Sequence, residues 1–287
     1  MFTILIQTIL SVVMVMNCGS LLDLSDFKYD LNELKDFINM NIRSIFLTIA
    51  ALATLSACNQ GKGTKSAADN VVTQDSSKSG WISLFDGKTI NGWHTYGKST
   101  AGKAWKADSG MLHLDARNKG DWQTIDGGDI VTQDEFENFD FKTDWKISRA
   151  GNSGIMFYVR EDIKKYPYPW STGPESQICD NKENEDGKVF KSRAGELYEL
   201  IPLSKDVVKP AGEWNTTEII ANKGKLDLYI NKEHVISTTL WDDNWKKLIA
   251  GTKFKDMPGF GTFRKGKIAL QDHAADVWFK NIMIRKL

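Results

Sequence analysis

The fold class is decided by the stretch Phe139-Asp-Phe-Lys-Thr-Asp-Trp-Lys-Ile147, in which apolar and charged side chains alternate. The odd-numbered positions are aromatic or aliphatic apart from Thr143, and all the even-numbered positions are charged. A period of two places successive side chains on opposite faces of a strand. The stretch therefore predicts an antiparallel strand with one buried face and one face toward solvent.

Short strand and turn patterns continue on both sides of this stretch. We expect further strands at Trp81–Phe85, Trp105–Ala107, Met111–Leu114, Gly154–Arg160, Trp214–Ala221, Leu226–Ile230, Lys267–Gln271 and Val277–Arg285. Turn sequences such as Asp86-Gly87 and Asp108-Ser-Gly110 separate them. One short helix is expected around Trp241–Ile249. Many short strands with almost no helix predict a single all-β domain over residues 80–287, a β-sandwich or jelly roll.

Residues 40–57 have the layout of a secretory signal. Arg43 precedes a short apolar run, and Leu55-Ser-Ala-Cys58 follows it. A cationic start, an apolar core and small residues are the parts of a signal peptide, and the tetrapeptide resembles the lipobox of bacterial lipoproteins. We therefore predict a leader over residues 1–57, lipidation at Cys58, and a lipid-anchored location in the cell envelope. The alternative is a short hydrophobic helix in a core. The run is too short for a comfortable membrane span, and polar sequence follows it at once.

The segments on either side of this signal have different characters. Residues 1–16 are apolar and lack a positive charge, which is unusual ahead of a signal peptide. Our hypothesis is that translation starts at Met40 and that residues 1–39 come from an overextended reading frame. A second membrane anchor at residues 1–16 is the alternative. Residues 58–79 are small and polar without periodicity, which predicts a flexible tether.

Charge and cysteine content narrow the possible partners. Removing the three basic and five acidic side chains of residues 1–57 leaves 34 basic and 32 acidic ones. This balance gives no electrostatic case for nucleic acid, and we expect membrane contact only through the lipid. Cys179 is the only cysteine after Cys58, so no disulfide is expected within the domain. Cys179 is expected to be a small buried packing residue rather than a nucleophile.

Three polar clusters interrupt the strand pattern. They are Asn152-Ser-Gly154 (which leads into a strand ending at Arg160), Glu175-Ser-Gln-Ile-Cys-Asp180 and Gln271-Asp-His273. In a strand Glu175 and Gln177 share a face, and so do Gln271 and His273. If these strands lie side by side, a carboxylate, two amides and an imidazole converge on one sheet face. A carboxylate and an imidazole together are the usual parts of acid–base chemistry. The ten tryptophans, all at or after Trp81, fit a sandwich core and also fit stacking on sugar rings.

These clusters lie in segments that resemble the 3-keto-disaccharide hydrolase domain family, common in bacterial lipoproteins. In order, the matching motifs are Ser83-Leu-Phe-Asp-Gly-Lys-Thr-Ile-Asn-Gly-Trp93, Gly151–Arg160, Glu175–Asp180, Gly195–Tyr198, Lys209–Asn215, Gly266–His273 and Val277–Arg285. The resemblance spans about residues 80–287. It implies a concanavalin A-like jelly-roll sandwich whose substrates are glycosides oxidised to a ketone at sugar carbon 3. Cys179 and Ala274 depart from the residues common in the family.

The implied ketone allows a specific mechanism. It acidifies the proton on carbon 2, so a general base can form an enolate that expels the group on carbon 1, and water then adds to the enone. We predict Glu175 as the base, His273 as the acid or carbonyl polariser, and Asp180 as an orienting catalytic group. The residues expected to bind substrate are Gln177, Gln271, Arg160, Asn152 and Tyr158.

Each assignment has a structural alternative. Glu175 and Asp180 could be solvated charges at strand ends, Asp272-His273 a self-capping turn, and Arg160 half of a surface pair with Glu161. Oxygen and nitrogen ligands for a divalent metal are available at Glu175, Asp180 and His273, but no compact spacing demands one, and we expect no cofactor. The remaining histidines, expected to be structural or at the surface, are His94, His113 and His234.

At the level of the whole protein, two other functions stay open. A non-catalytic carbohydrate-binding domain can share the same sandwich, because a fold does not fix a function. A conventional glycosidase would use two carboxylates.

Overall fold

The computed structural model describes residues 80–287, and this part of the chain contains thirteen strands. In chain order they are β1 (Trp81–Ser83), β2 (Trp93–Thr95), β3 (Trp105–Asp108), β4 (Met111–Leu114), β5 (Ile130–Thr132), β6 (Phe139–Ile147), β7 (Asn152–Val159), β8 (Glu175–Cys179), β9 (Asn215–Asn222), β10 (Lys225–Ile230), β11 (Glu233–Thr239), β12 (Lys267–Leu270) and β13 (Val277–Lys286). The alternating stretch Phe139–Ile147 is β6, with the predicted bounds.

The strands form two antiparallel sheets. The larger sheet has the order β11-β10-β9-β6-β13-β4-β3, with β1 also paired to β13, and the smaller sheet has the order β2-β5-β12-β7-β8. Phe141 and Trp145 of β6 are at most 1% exposed and join one core with Ile155 and Leu270 from the smaller sheet. The predicted all-β sandwich is confirmed.

A single α-helix, α1 (Asp243–Ala250), lies among the described residues together with three short 3-10 turns. The Asp242 side chain accepts a hydrogen bond from the Trp245 backbone N–H at 2.7 Å, which is a standard N-cap. Trp245 anchors the helix, because its indole is 1% exposed and donates to the Gly261 carbonyl at 2.9 Å. The helix predicted around Trp241–Ile249 is confirmed. It begins at Asp243, directly after the capping residue Asp242, and ends at Ala250. None of the helices in this part of the chain is long and apolar enough to cross a membrane.

The two faces of the smaller sheet have different environments. In the β7–β8 pairing, Gly154 lies opposite Gln177 and Met156 lies opposite Glu175. Ile155, between them in sequence, belongs to the core between the sheets, whereas Met156 belongs to a separate small cluster. Alternation along a strand therefore places Glu175 and Gln177 on the outer face of this sheet, away from the main core.

A β-bulge near the end of β7 changes this alternation. In the pairing with β12, Lys267 faces Val159 and Ala269 faces Met156, so two β7 residues stand opposite one residue of β12. Tyr158, one of the two, has φ 57° and turns into the core, where it is 2% exposed and its hydroxyl donates to the Glu137 carbonyl at 2.7 Å. The prediction that Tyr158 binds substrate is therefore not supported by its position.

The lone cysteine of the domain is buried, as predicted. Cys179 is 2% exposed, and burial raises the pKa of its thiol to about 12, so it is not a thiolate near neutral pH. The predictions of a leader over residues 1–57, lipidation at Cys58 and a tether over residues 58–79 lie outside the described residues.

Candidate active site

A cavity of about 390 Å³ opens on the outer face of the smaller sheet. The predicted site residues that line it are Asn152, Glu175, Gln177, Gln271 and His273. They come from the start of β7, from β8 and from the loop after β12, and β7 pairs with both β8 and β12. The structure thus brings together members of all three polar clusters.

Of the two carboxylates predicted for the site, only Glu175 lines the cavity. It is 7% exposed, and its carboxyl lies directly over Gly154, where an added Cβ atom would overlap Oε1 and lie 2.5 Å from Cδ. Only glycine leaves room for the carboxyl at this point of β7. No hydrogen bond reaches the Glu175 carboxylate from any residue of 80–287. A buried carboxyl without such partners keeps its oxygens available to a ligand.

The surroundings of Glu175 favour its protonated form. Burial raises the pKa of Glu175 to about 8, and the negative charges of Asp129 and Asp186 add to the rise, while the Lys253 ammonium opposes it. A carboxyl that titrates near neutral pH can both take up and return a proton during turnover. Perturbation of this kind in a cavity is typical of functional sites.

A second buried carboxyl, Asp129, lines the same cavity and was missed from the sequence. It is 3% exposed, and burial raises its pKa to about 7 against the opposing hydrogen bond from the Asp272 N–H at 2.9 Å. Asp272 itself is fully buried and accepts from the Thr124 N–H at 3.0 Å and from the Gly128 N–H at 2.7 Å. Asp272 therefore has a structural role: it fixes the loop before β5 against the loop that carries His273.

A lysine–tyrosine pair was also missed. The Lys253 ammonium donates to the Tyr198 hydroxyl at 2.9 Å, and both side chains line the cavity. Partial desolvation works against the ammonium, but Tyr198, Glu199 and Asp186 outweigh it and raise the pKa of Lys253. A tyrosine oxygen that accepts from an ammonium retains its own O–H as a donor. The pair therefore offers both a positive charge and a hydroxyl donor to the cavity.

Three amides complete the polar lining. The Gln271 Oε1 atom is buried and has no hydrogen-bond partner, which is an exception for a buried acceptor. Gln177 uses its Oε1 to accept from the Ile178 N–H at 3.0 Å, and Asn152 donates to the Asp186 carboxylate at 2.8 Å. Gln271 thus has an unused acceptor for a ligand hydroxyl, whereas Asn152 and Gln177 are held in place by the protein.

His273 stands at the rim. It is exposed, and it makes no hydrogen bond with any residue of 80–287. β12 ends at Leu270, so Gln271 and His273 lie in a loop rather than on one strand face as predicted. Both nevertheless line the cavity. Both interpretations of Asp272-His273 are therefore partly right. Asp272 caps the turn, since it accepts from the Ala274 N–H at 3.0 Å, and His273 lines the cavity.

Two predicted residues lie elsewhere. Asp180 follows the end of β8, where its carboxylate accepts from the Ala150 N–H at 2.8 Å and the Lys182 N–H at 3.0 Å, so it caps the turn between β6 and β7. Arg160 forms a surface ion pair with Glu135 at 3.2 Å. Neither Asp180 nor Arg160 lines the cavity. The possible metal ligands Glu175, Asp180 and His273 are therefore not gathered. Across residues 80–287 no group of three or more acidic, histidine or cysteine side chains is arranged to hold a metal.

The other three histidines occupy the positions expected of structural or surface residues. His94 pairs with Glu161 at 2.9 Å, and Lys267 lies 3.5 Å from the same carboxylate, whereas Arg160 pairs with Glu135. The remaining two contacts, at 2.9 Å and 3.0 Å, join His113 to Asp276 and His234 to Asp227. None of these three histidines lines the cavity.

Comparison with known proteins agrees with this architecture. The chain is 34% identical over 228 residues to a Bacteroides thetaiotaomicron protein named 3-keto-disaccharide hydrolase, which covers 72% of this chain and 79% of that protein. A crystal structure of a candidate glycosyl hydrolase from Parabacteroides distasonis superposes with a TM-score of 0.67 at 32% identity, over 77% of this chain and 100% of that one. A second candidate glycosyl hydrolase from the same organism gives a TM-score of 0.54 at 25% identity, over 72% and 99% of the two chains.

The family match covers the whole sandwich. Residues 80–285 match the family described as the 3-keto-alpha-glucoside-1,2-lyase-like domain. The resemblance found in the sequence motifs is thus confirmed, and with it the jelly-roll sandwich that the resemblance implied. This chain belongs to the 3-keto-alpha-glucoside-1,2-lyase-like domain family.

Proposed function

We propose that the protein cleaves 3-keto-glycosides, including 3-keto-disaccharides, by elimination between sugar carbons 1 and 2 followed by hydration. The observation that carries the proposal is the Glu175 carboxyl, which is buried in the cavity without a hydrogen bond from residues 80–287 and has a pKa raised to about 8. The names of the matching family and of the Bacteroides relative supply the substrate class.

Glu175 acts as the general base in this proposal. A ketone at carbon 3 acidifies the proton on carbon 2, and the Glu175 carboxylate removes that proton. The electrons of the broken C–H bond form an enolate that spreads charge onto the carbon 3 oxygen. The high pKa of Glu175 makes it a stronger base than an exposed glutamate, at the cost of being less ionised at neutral pH.

The enolate and the leaving group need positive charge and proton donors. Lys253 and the Tyr198 hydroxyl supply both within the cavity, and preorganised groups of this kind are worth most where charge develops. The enolate then breaks the bond from carbon 1 to the glycosidic oxygen. His273, exposed at the rim, protonates the departing oxygen or polarises the carbonyl, as predicted from the sequence.

Hydration completes the reaction. Water adds to carbon 1 of the enone and gives its proton to His273, which replaces the proton that left with the glycosidic oxygen. The carboxyl proton of Glu175 exchanges with solvent in the open cavity before Glu175 returns a proton to carbon 2, so the sum of both halves is hydrolysis with no net change at either residue. Gln271, with its unpartnered buried oxygen, accepts from a sugar hydroxyl, while Asn152 and Gln177 orient the ring. No step requires a cofactor.

A conventional glycosidase is the second candidate, because Asp129 and Glu175 place two carboxyls in one cavity with pKa values of about 7 and about 8. Incubation with a 3-keto-disaccharide and with its unoxidised parent separates the two. We expect release of the leaving sugar from the keto compound alone. Equal release from both substrates would favour the two-carboxylate mechanism, and binding without release would favour a carbohydrate-binding domain.

The same proposal places the enzyme in the cell envelope, lipid-anchored through Cys58, because the lipobox-like sequence ends at that residue. An exported enzyme of this class would meet its sugar substrates outside the cytoplasm.

A further inference from the structure

A second cavity adjoins the candidate site. Its volume is about 220 Å³, and it shares Trp122 and Asp129 with the larger cavity. Its other walls come from the loop after β2, from the loop before β5 and from residues 167–169. The outer face of the smaller sheet therefore carries two adjacent hollows with Trp122 at their junction.

Trp122 is held in place while its indole remains exposed. The loop that carries it is closed by the Gly120 N–H donating to the Gln123 carbonyl and by the Ile125 N–H donating to the Asn118 carbonyl, both at 2.8 Å. The indole is 45% exposed. A contiguous exposed apolar patch at a cavity edge is typical of a binding site, whereas a single exposed apolar side chain is not, so the neighbours of Trp122 decide its significance.

A pair of stacked rings continues this aromatic surface. Tyr168 and Trp170 stack with centroids 4.6 Å apart and planes at 8°, and Tyr168 meets Trp122 edge to face at 5.5 Å. Tyr168 lines the second cavity and Trp170 lines the first, so the stack crosses the boundary between them. The loop is anchored because the Tyr96 hydroxyl donates to the Tyr166 carbonyl at 2.6 Å. These rings form a fixed platform before any ligand arrives.

The remaining walls of the second cavity are polar. The Gln123 amide donates to Asp129 at 3.1 Å, and Asp126 and Lys98 are exposed at its edge. Aromatic faces beside polar side chains match a pyranose ring, which has apolar C–H faces and hydroxyls around its edge. The neighbouring cavity, which contains Glu175, is the one in which the oxidised ring must lie if the proposed function is right.

We propose that the second cavity binds the leaving sugar ring of a 3-keto-disaccharide, with the ring packed in the corner between Trp122 and Tyr168, whose planes stand at 82°. This inference rests on the proposed function. A glycosidic bond joins the two rings through one oxygen, so the second ring must lie next to the first, and the cavity beyond Trp122 is adjacent to the one that holds Glu175. The platform would then select disaccharides over glycosides with small leaving groups.

The test compares two substrates that share the oxidised ring, a 3-keto-disaccharide and the corresponding methyl 3-keto-glycoside. For Trp122→Ala and Tyr168→Ala we expect the loss in kcat/KM on the disaccharide to exceed the loss on the methyl glycoside by about tenfold, the scale of one aromatic stacking contact. The matched control is Ile125→Ala, since Ile125 lies in the same loop as Trp122, is 59% exposed and lines neither cavity. This control variant should leave kcat/KM unchanged on both substrates. Equal losses on both substrates, or no loss on either, would overturn the inference.

If the protein is a carbohydrate-binding domain instead of an enzyme, the result is different: the wild type turns over neither substrate. In that event calorimetric titration with the unoxidised disaccharide and with the methyl glycoside replaces the kinetic readout. Tighter binding of the disaccharide that is lost in Trp122→Ala would support the second-ring site on its own. Equal affinity for the two ligands in the wild type would contradict it.

Discussion

Replacing Glu175 by glutamine should stabilise the fold at high pH, because the carboxylate is buried without a hydrogen bond from residues 80–287. The pKa of Glu175 is about 8 in the folded protein, against a value of 4.5 for an ordinary glutamate. Since the folded state holds this proton more tightly, the wild type loses stability as pH rises from about 4.5 to about 8, and the loss stays constant above that range. Glutamine cannot ionise, so Glu175→Gln escapes the loss.

The size of the effect follows from the two pKa values. Their difference of about 3.5 corresponds to roughly 5 kcal/mol at 1.36 kcal/mol per pKa unit, and this is an upper value because water reaches the open cavity. We therefore expect the free energy of unfolding of Glu175→Gln, relative to the wild type, to increase by about 2–5 kcal/mol between pH 4 and pH 9. Proton removal should be abolished in the same variant, so stability and activity change in opposite directions.

The assay is urea denaturation of both proteins at pH 4 and pH 9. Subtracting the pH-dependent change in unfolding free energy of the wild type from that of the variant cancels the titrating groups that do not interact with Glu175. Glu213→Gln is the matched control, because Glu213 is exposed and does not line the candidate active site. A pH-dependent difference below about 1 kcal/mol for Glu175→Gln, or one equal to the control, would refute the reasoning that Glu175 is a buried, raised-pKa carboxyl.

Three further predictions concern the same base, its glycine neighbour and the anchor. The value of kcat/KM should rise as pH increases through about 8, because Glu175 must lose its proton to act as the base. The midpoint of this rise should move to lower pH in Asp129→Asn, which removes a negative neighbour of Glu175, and to higher pH in Lys253→Gln, which removes a positive one. Midpoints that shift in the same direction in both variants would contradict this. Gly154→Ala should lower kcat about 10²–10⁴-fold, the range for loss of a general base, because the new Cβ displaces the Glu175 carboxyl; near-normal kcat would show that the carboxyl position is unimportant. Cys58→Ser should abolish incorporation of a fatty-acid probe in the producing cell, because lipid attachment needs the sulfur, and persistent labelling would exclude the lipobox.

The fold was predictable because its signals are local. The alternation in Phe139–Ile147 fixes which side chains can share a face, and the strand it predicts was found with the same bounds. The same alternation places the side chains of Glu175 and Gln177 together on one face of β8. Asp180 is an odd number of residues from both and follows the end of the strand, so its side chain does not join them.

The rest of the site was not predictable because it depends on tertiary structure. Tyr158 is an even number of residues from Asn152 and Gly154, so regular alternation would place all three side chains on one face. A β-bulge instead turns Tyr158 into the core, and nothing in the sequence predicts its φ of 57°. Asp129 and Lys253 reach the cavity from loops or turns whose positions are set by packing and by hydrogen bonds between distant residues, such as those to Asp272.

The central claim is that Glu175 removes the proton on carbon 2 of a 3-keto sugar. Its most direct test is turnover of a 3-keto-disaccharide in deuterium oxide, with the product sampled early and carbon 2 analysed by NMR against an enzyme-free sample of the same product. We expect one deuterium at carbon 2 for each bond cleaved by the wild type, and neither cleavage nor enzyme-dependent exchange with Glu175→Gln. Cleavage that leaves the original proton on carbon 2 would contradict the elimination mechanism and the role assigned to Glu175.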